Sequence, residues 1–159
     1  MDKISKRSDK VAFFGLEGSN TDFSRMRGFT EFSVSKNPVE YSRRYIDEQT
    51  ERNDVVAYAP SISYSFDKFS DDNVHRELIE IADMEKVGAE AVRYIVIVDL
   101  SGTGNEKSAV LREWAVIPDG EGNDNDAYTY SGTLKANGEI VLGTATSDDD
   151  WLSCTFTAN

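Results

Sequence analysis

From Thr30 onward the chain repeatedly switches between apolar and polar side chains at every second position, and this period of two constrains the fold more than any other feature. Phe32 and Val34 alternate with Glu31, Ser33 and Ser35 until Asn37-Pro38 interrupts the run. Ile62, Tyr64 and Phe66 alternate with Ser61, Ser63, Ser65 and Asp67, and Tyr128, Tyr130 and Leu134 alternate with Thr129, Ser131, Thr133 and Lys135. Such alternation places one face of a strand on a core and the other in water. Strands are expected over 30–35, 39–47, 60–69, 91–100, 109–117, 128–135, 140–144 and 151–157. The run 91–100 is apolar on both faces apart from Arg93 and, near its end, Asp99, which makes it a central strand. Asn137-Gly138 between two alternating runs predicts a tight hairpin, because both residues tolerate the positive φ of a type I′ turn.

One helix interrupts this pattern. Asp71, Asp72 and Asn73 offer capping oxygens before Val74, Leu78, Ile81 and Ala82, whose spacing makes a single apolar stripe over about three turns. Gly88 lies at or just past its end. The fold class that follows is mainly β, a two-sheet sandwich or barrel of about eight strands with one flanking helix. Residues 1–27 mix charge and glycine with a few aromatics and show neither period, so they are expected to form an N-terminal arm, docked through Phe13, Phe14, Leu16 and Phe23 on its own domain or on a neighbour. Residues 28–159 then form one domain, a size that suits a single core.

Charge excludes several functions. Against 17 Lys and Arg stand 29 Asp and Glu, a net charge of -12 that repels phosphate backbones, so specific DNA binding is disfavoured. Beyond Pro118 the only basic residue is Lys135, while Asp119, Glu121, Asp124, Asp126, Glu139, Asp148, Asp149 and Asp150 are acidic. A lone Cys154 excludes an intrachain disulfide or thiolate cluster and fits folding in a reducing compartment. No apolar run is long enough for a signal peptide or a bilayer span, so a protein without a membrane anchor is expected.

Catalytic chemistry finds little to stand on. His75 is the only histidine, expected on the polar side of the helix and exposed, without the partners that a triad or a metal site needs. Cys154 alternates in phase with Leu152 and Phe156, which points to a buried structural thiol. The 119–126 loop presents alternate carboxylates but holds Asp124 and Tyr130 where a calcium loop wants glycine and glutamate. Asp148, Asp149 and Asp150 are adjacent and hydrated, with nothing to raise one pKa selectively. Gly102 and Gly104 lack the lysine and following helix of a phosphate cradle. No catalytic residue, metal or cofactor is assigned.

The segment 41–54 is different. Tyr41, Arg43, Arg44, Tyr45 and Arg52 are interleaved with Asp47, Glu48, Glu51 and Asp54. An exposed hairpin with both charge signs and two tyrosines suits contact with another copy of the same acidic chain.

Tyr-Ser-Arg-Arg-Tyr-Ile-Asp-Glu at 41–48, the 61–69 strand, the helix from Val74 and the 91–99 strand together resemble the major tail tube proteins of long-tailed, siphovirus- and myovirus-type, phages and prophages of Gram-positive bacteria. The resemblance spans roughly 28–117. It implies a structural virion protein without an active site, assembled in the host cytoplasm as hexameric rings that stack into the tail tube. Its partners would be copies of itself, the tail tip, the terminator, a tape measure inside the tube, and DNA that passes without specific binding. It also implies that the hairpin over 43–54 reaches the adjacent ring. Electrostatics agree with a conduit: an acidic lumen, to which 119–126 or 148–150 would contribute, keeps DNA from sticking. The competing expectation is a small β-sandwich that binds carbohydrate or peptide, suggested by Tyr128 and Tyr130 beside the acidic loops.

Overall fold

A computed structural model describes residues 3–159. Among them are eleven strands and one α-helix: β1 (Lys10–Phe14), β2 (Asp22–Arg25), β3 (Phe29–Ser35), β4 (Pro38–Arg43), β5 (Arg52–Tyr58), β6 (Ser61–Asp67), α1 (Asn73–Asp83), β7 (Val92–Asp99), β8 (Lys107–Glu121), β9 (Thr129–Ala136), β10 (Val141–Thr146) and β11 (Ser153–Ala158). The mainly β class with one helix follows from the alternating pattern. All pairings are antiparallel.

β8 organises the molecule. One of its edges pairs with β7, and the other is shared by β10 over Lys107–Leu111 and by β9 over Trp114–Glu121. Through β10 the order β10-β11-β2-β1-β7-β8 closes on itself as a six-stranded barrel, while β9, β6 and β3 continue outward from β8 as an open wing. Closure leaves no free edge in the barrel, and β3 is the free edge of the wing.

Two cores result. Phe13, Phe23, Val96, Val98, Ala109, Leu111, Ala145, Cys154 and Phe156 fill the barrel. Phe14, Ile62, Phe66, Val74, Leu78, Ile81, Ile95, Trp114 and Leu134 lie between wing, barrel wall and helix. Phe13 and Phe14 are adjacent in sequence and both fully buried, because successive residues of a strand face opposite ways and β1 is covered on both sides. This corrects the expectation of a separate arm over 1–27: from Lys10 onward the segment is barrel wall, and a strand buried on both faces shows no period of two.

The helix starts as its capping residues require. Asp72 Oδ1 accepts the backbone N–H groups of Val74 and His75 at 2.8 and 3.1 Å. Its apolar arc packs Val74, Leu78 and Ile81 into the core shared by β8 and the wing, and Glu77 turns to Arg93, Nε to Oε1 at 2.8 Å, an ion pair with both side chains largely shielded. Arg93, the one basic residue of β7, is thus the anchor between helix and barrel.

Other expectations are corrected. Asn137-Gly138 makes no hairpin turn, since β9 and β10 do not pair with each other and neither residue takes positive φ. The Asn137 N–H instead donates to Glu113 O and the Gly138 carbonyl accepts from Arg112 Nε, both at 2.9 Å, so the chain runs on along β8 and crosses from wing to barrel. Asp119 and Glu121 are not in a loop but end β8, with Glu121 opposite Tyr130. Leu152 is exposed although Cys154 and Phe156 are buried, because β11 begins only at Ser153. The second expected strand stops at Arg43, and a further strand, β5, occupies 52–58.

Candidate functional site

β4 and β5 form a two-stranded sheet of their own, pairing from Pro38↔Tyr58 to Arg43↔Arg52 with a bulge after Val39. The ladder of β3 and β6 ends at Ser35↔Ser61, and the chain beyond it projects as a finger. Asn37 sets the joint: it takes φ 46°, and its Nδ2 donates to Ala59 O and Ser61 Oγ, each at 3.1 Å. Six residues of extended strand plus the tip give a reach of roughly 25 Å.

The finger is held by its own charges. Arg43 lies over the rings of Tyr41 and Tyr45, at 4.9 and 5.5 Å from their centroids, and Arg52 lies 5.6 Å from that of Tyr45. Arg43 pairs with Asp54 and donates from Nε to Tyr45 Oη at 2.8 Å, while Arg52 makes a two-pronged contact with Glu48 at 2.9 and 3.0 Å. Ser42 Oγ donates to Asn53 Oδ1 at 2.6 Å. The first partners of Arg43 and Arg52 are therefore inside the finger. Arg44, Asp47 and Glu51 form no ion pair among the described residues and are free to meet another chain.

What the finger exposes is apolar as well as charged. Ile46 at the tip is 107% exposed, and Val39, Tyr41, Tyr45, Val55, Val56 and Tyr58 are all solvent-facing. The charge pattern drew attention to Tyr41–Asp54; Ile46 and the Val55–Tyr58 stretch escaped it, although two β-branched residues and a tyrosine within four positions are a strand signal. A second apolar stripe crosses the outer barrel wall, where Ile97, Val110 and Leu142 are register partners on neighbouring strands. Exposed apolar area of this kind marks an interaction surface.

The acidic segments are not brought together. Residues 119–126 lie at the Glu121 end of β8, and Asp148, Asp149 and Asp150 lie in the turn after β10, at the Lys107 end. At the first, Tyr128 Oη donates to Glu121 at 2.7 Å and the Asp126 N–H donates to Asp124 Oδ1 at 2.8 Å. The Tyr64 hydroxyl is pushed up to about 12, first by burial and then by the charge of Asp119. At the second, Asp149 accepts from Ser153 Oγ and N and from Ser147 Oγ, and these bonds hold its carboxyl below the usual range, the reverse of what a general acid needs. Tyr130 is buried in a stack on Phe66 at 5.5 Å, whereas Tyr128 is exposed, so only one of the two tyrosines that suggested a binding cleft faces solvent.

His75 is not exposed: it is fully buried, stacked on Phe66 at 4.4 Å, with the Phe69 N–H donating to Nδ1 at 3.0 Å and Nε2 2.5 Å from Arg27 O. Its Nε2 contact with a carbonyl makes it a structural bridge. Cys154 is buried as its phase implies, and burial, then Asp149 and Asp22, push its thiol up to about 12. At pH 8 the native thiol should therefore not react with an aromatic disulfide reagent and should react stoichiometrically after unfolding in guanidinium; rapid labelling of the native chain would contradict this placement. No group of three or more potential metal ligands exists among the described residues, and no helix there is long and apolar enough to cross a membrane.

No protein-family model and no curated protein matches the chain. Solved structures do. The chain is similar to one from the tail of an empty gene transfer agent (GTA) particle, determined by helical refinement with C6 symmetry: 15% identity and a TM-score of 0.64 over 86% of this chain and 97% of that one. A chain of the virion of a native GTA particle matches at 14% identity and a TM-score of 0.62, over 87% of this chain and 98% of that one. A chain of the six-fold symmetrised baseplate of the anti-feeding prophage matches at 11% identity and a TM-score of 0.56, covering 89% and 97%. At these identities the likeness is one of fold, and it runs through nearly the whole of chains that belong to a tail, a virion and a baseplate.

Proposed function

We propose that the chain is a structural subunit of a phage-type tail, forming hexameric rings that stack into a hollow tube through which DNA is ejected. The observation that carries this reading is the finger: a two-stranded sheet that nothing covers among the described residues, on a fold shared with chains of a C6 tail and a six-fold symmetrised baseplate. Exposed apolar residues on both finger and barrel wall supply the contact area that a net charge of -12 otherwise opposes. Within the assembly the finger residues Tyr41–Asp54 contact the neighbouring ring, with Arg44, Asp47 and Glu51 making the new ion pairs. The acids of 119–126 or of 148–150 face the lumen, where they repel passing DNA. The tail tip, terminator and tape measure are the other partners, and the place of work is the virion tail after assembly in the host cytoplasm. The role is structural and uses no cofactor.

Light scattering over a concentration series tests this. Scattering should rise cooperatively above a threshold concentration and the threshold should shift with salt, because both apolar burial and screened charge repulsion set it. A flat mass per particle at all concentrations and salts would count against assembly.

A further inference from the structure

Four cationic side chains of this acidic chain line a groove of about 780 Å³ between β1, the segment after β2, and β3. Arg7, Lys10, Arg25 and Arg27 line it, and no carboxylate does among the described residues. Only Arg27 has an ion-pair partner there, Asp72 at 3.5 Å. Arg7 is fixed on the wall by donating to Lys10 O at 2.8 Å and Phe32 O at 2.9 Å, which leaves guanidinium N–H groups for an incoming anion. The floor is apolar, made by Met26, Phe29, Phe32 and Leu152. A cationic rim over an apolar floor selects an occupant with carboxylates around an apolar side chain.

The chain itself carries one such segment. The finger tip from Tyr45 to Glu51 holds Asp47, Glu48 and Glu51 and no cation, with Ile46 wholly exposed among them. The 119–126 segment has no apolar residue to fill the floor, and the 148–150 turn already spends Asp149 on Ser147 and Ser153. The tip does not occupy its own groove: Ile46 is wholly exposed and no residue of 45–51 lines it.

We infer that this groove is the seat for the finger tip of a second copy of the chain, with Ile46 entering the apolar floor and Asp47 and Glu51 meeting Arg7, Lys10 and Arg25. This inference rests on the assembly reading above. Tip and groove are different patches of one chain, so the contact is head-to-tail and repeats from copy to copy. Arg44, just past the end of β4, and Arg52, at the start of β5, flank the tip and keep its carboxylates from repelling the rest of the donor chain.

Charge exchange tests it in the full-length chain. Reversing the rim (R7E with R25E) or the tip (D47K with E51K) should each raise the threshold concentration for polymer by about tenfold or more. Combining all four substitutions in one chain should restore it to near the parental value. Restoration with both separate variants impaired supports the seat; a rim variant that polymerises like the parent, or a combined variant that stays impaired while melting like the parent, overturns it. Should the rim variant melt early, Ile46→Asp carries the same prediction at a position with no intrachain contact, and normal assembly of that variant also overturns the seat. Salt-sensitive co-sedimentation of double-stranded DNA with the parent chain, lost on rim reversal, would assign the groove to phosphate and overturn it too. If the parent forms no polymer at all, the assembly reading itself fails, an outcome distinct from these.

Discussion

Excising the finger, by joining Pro38 to Tyr58 through Asn-Gly, should abolish polymer formation while leaving the melting temperature of the monomer within about 2 °C of the parent. Pro38 and Tyr58 are register partners, so a two-residue turn reconnects them. The finger contributes no residue to either core, and a lone two-stranded sheet adds little stability. Its cation–π stack and ion pairs shape the finger and are spent within it. The fold and the assembly are therefore separable at this joint. Melting followed by circular dichroism and sedimentation of the same samples checks both halves; loss of more than about 3 kcal/mol of stability would mean the finger is part of the domain.

His75→Ala should cost about 3 to 5 kcal/mol, with a fall in melting temperature of roughly 10 °C. The substitution empties a fully buried site against Phe66 and Phe69 and leaves the Phe69 N–H and the Arg27 carbonyl without their partner. These groups tie together the turn before α1, the segment before β3 and the wing. Urea titration reads the loss directly; a change under about 1 kcal/mol would show that the imidazole is replaceable by water.

Local signals carried much of the fold. The strand at Ser61–Asp67, the central strand at Val92–Asp99 and the helix capped by Asp72 are written in periods and caps that act within a few residues. Closure of the barrel is not local. Asn137-Gly138 is a hairpin signal in isolation, yet β8 is long enough to offer both neighbours an edge, and pairing along it wins over the turn. Phe13-Phe14 hid a strand because both faces are buried. His75 sits three residues before Leu78 and seven before Ala82, spacing that already puts it on the apolar arc; the polarity of its ring concealed this. In the finger, residues 52–58 show no alternation because neither face meets a core. The charges of 41–54 drew attention to the finger, while its exposed tip residue Ile46 carries no periodic signal, and the cationic groove became visible only when residues distant in sequence, Arg7, Arg25 and Phe32, were seen side by side.

Electron microscopy of the concentrated full-length chain, with and without tail tips as seeds, tests the central claim most directly. Hollow tubes of constant width, whose end-on views show six-fold rings, are the result this account predicts. A field of separate particles the size of one chain under every condition, together with a small molecule held at one-to-one stoichiometry, would contradict it.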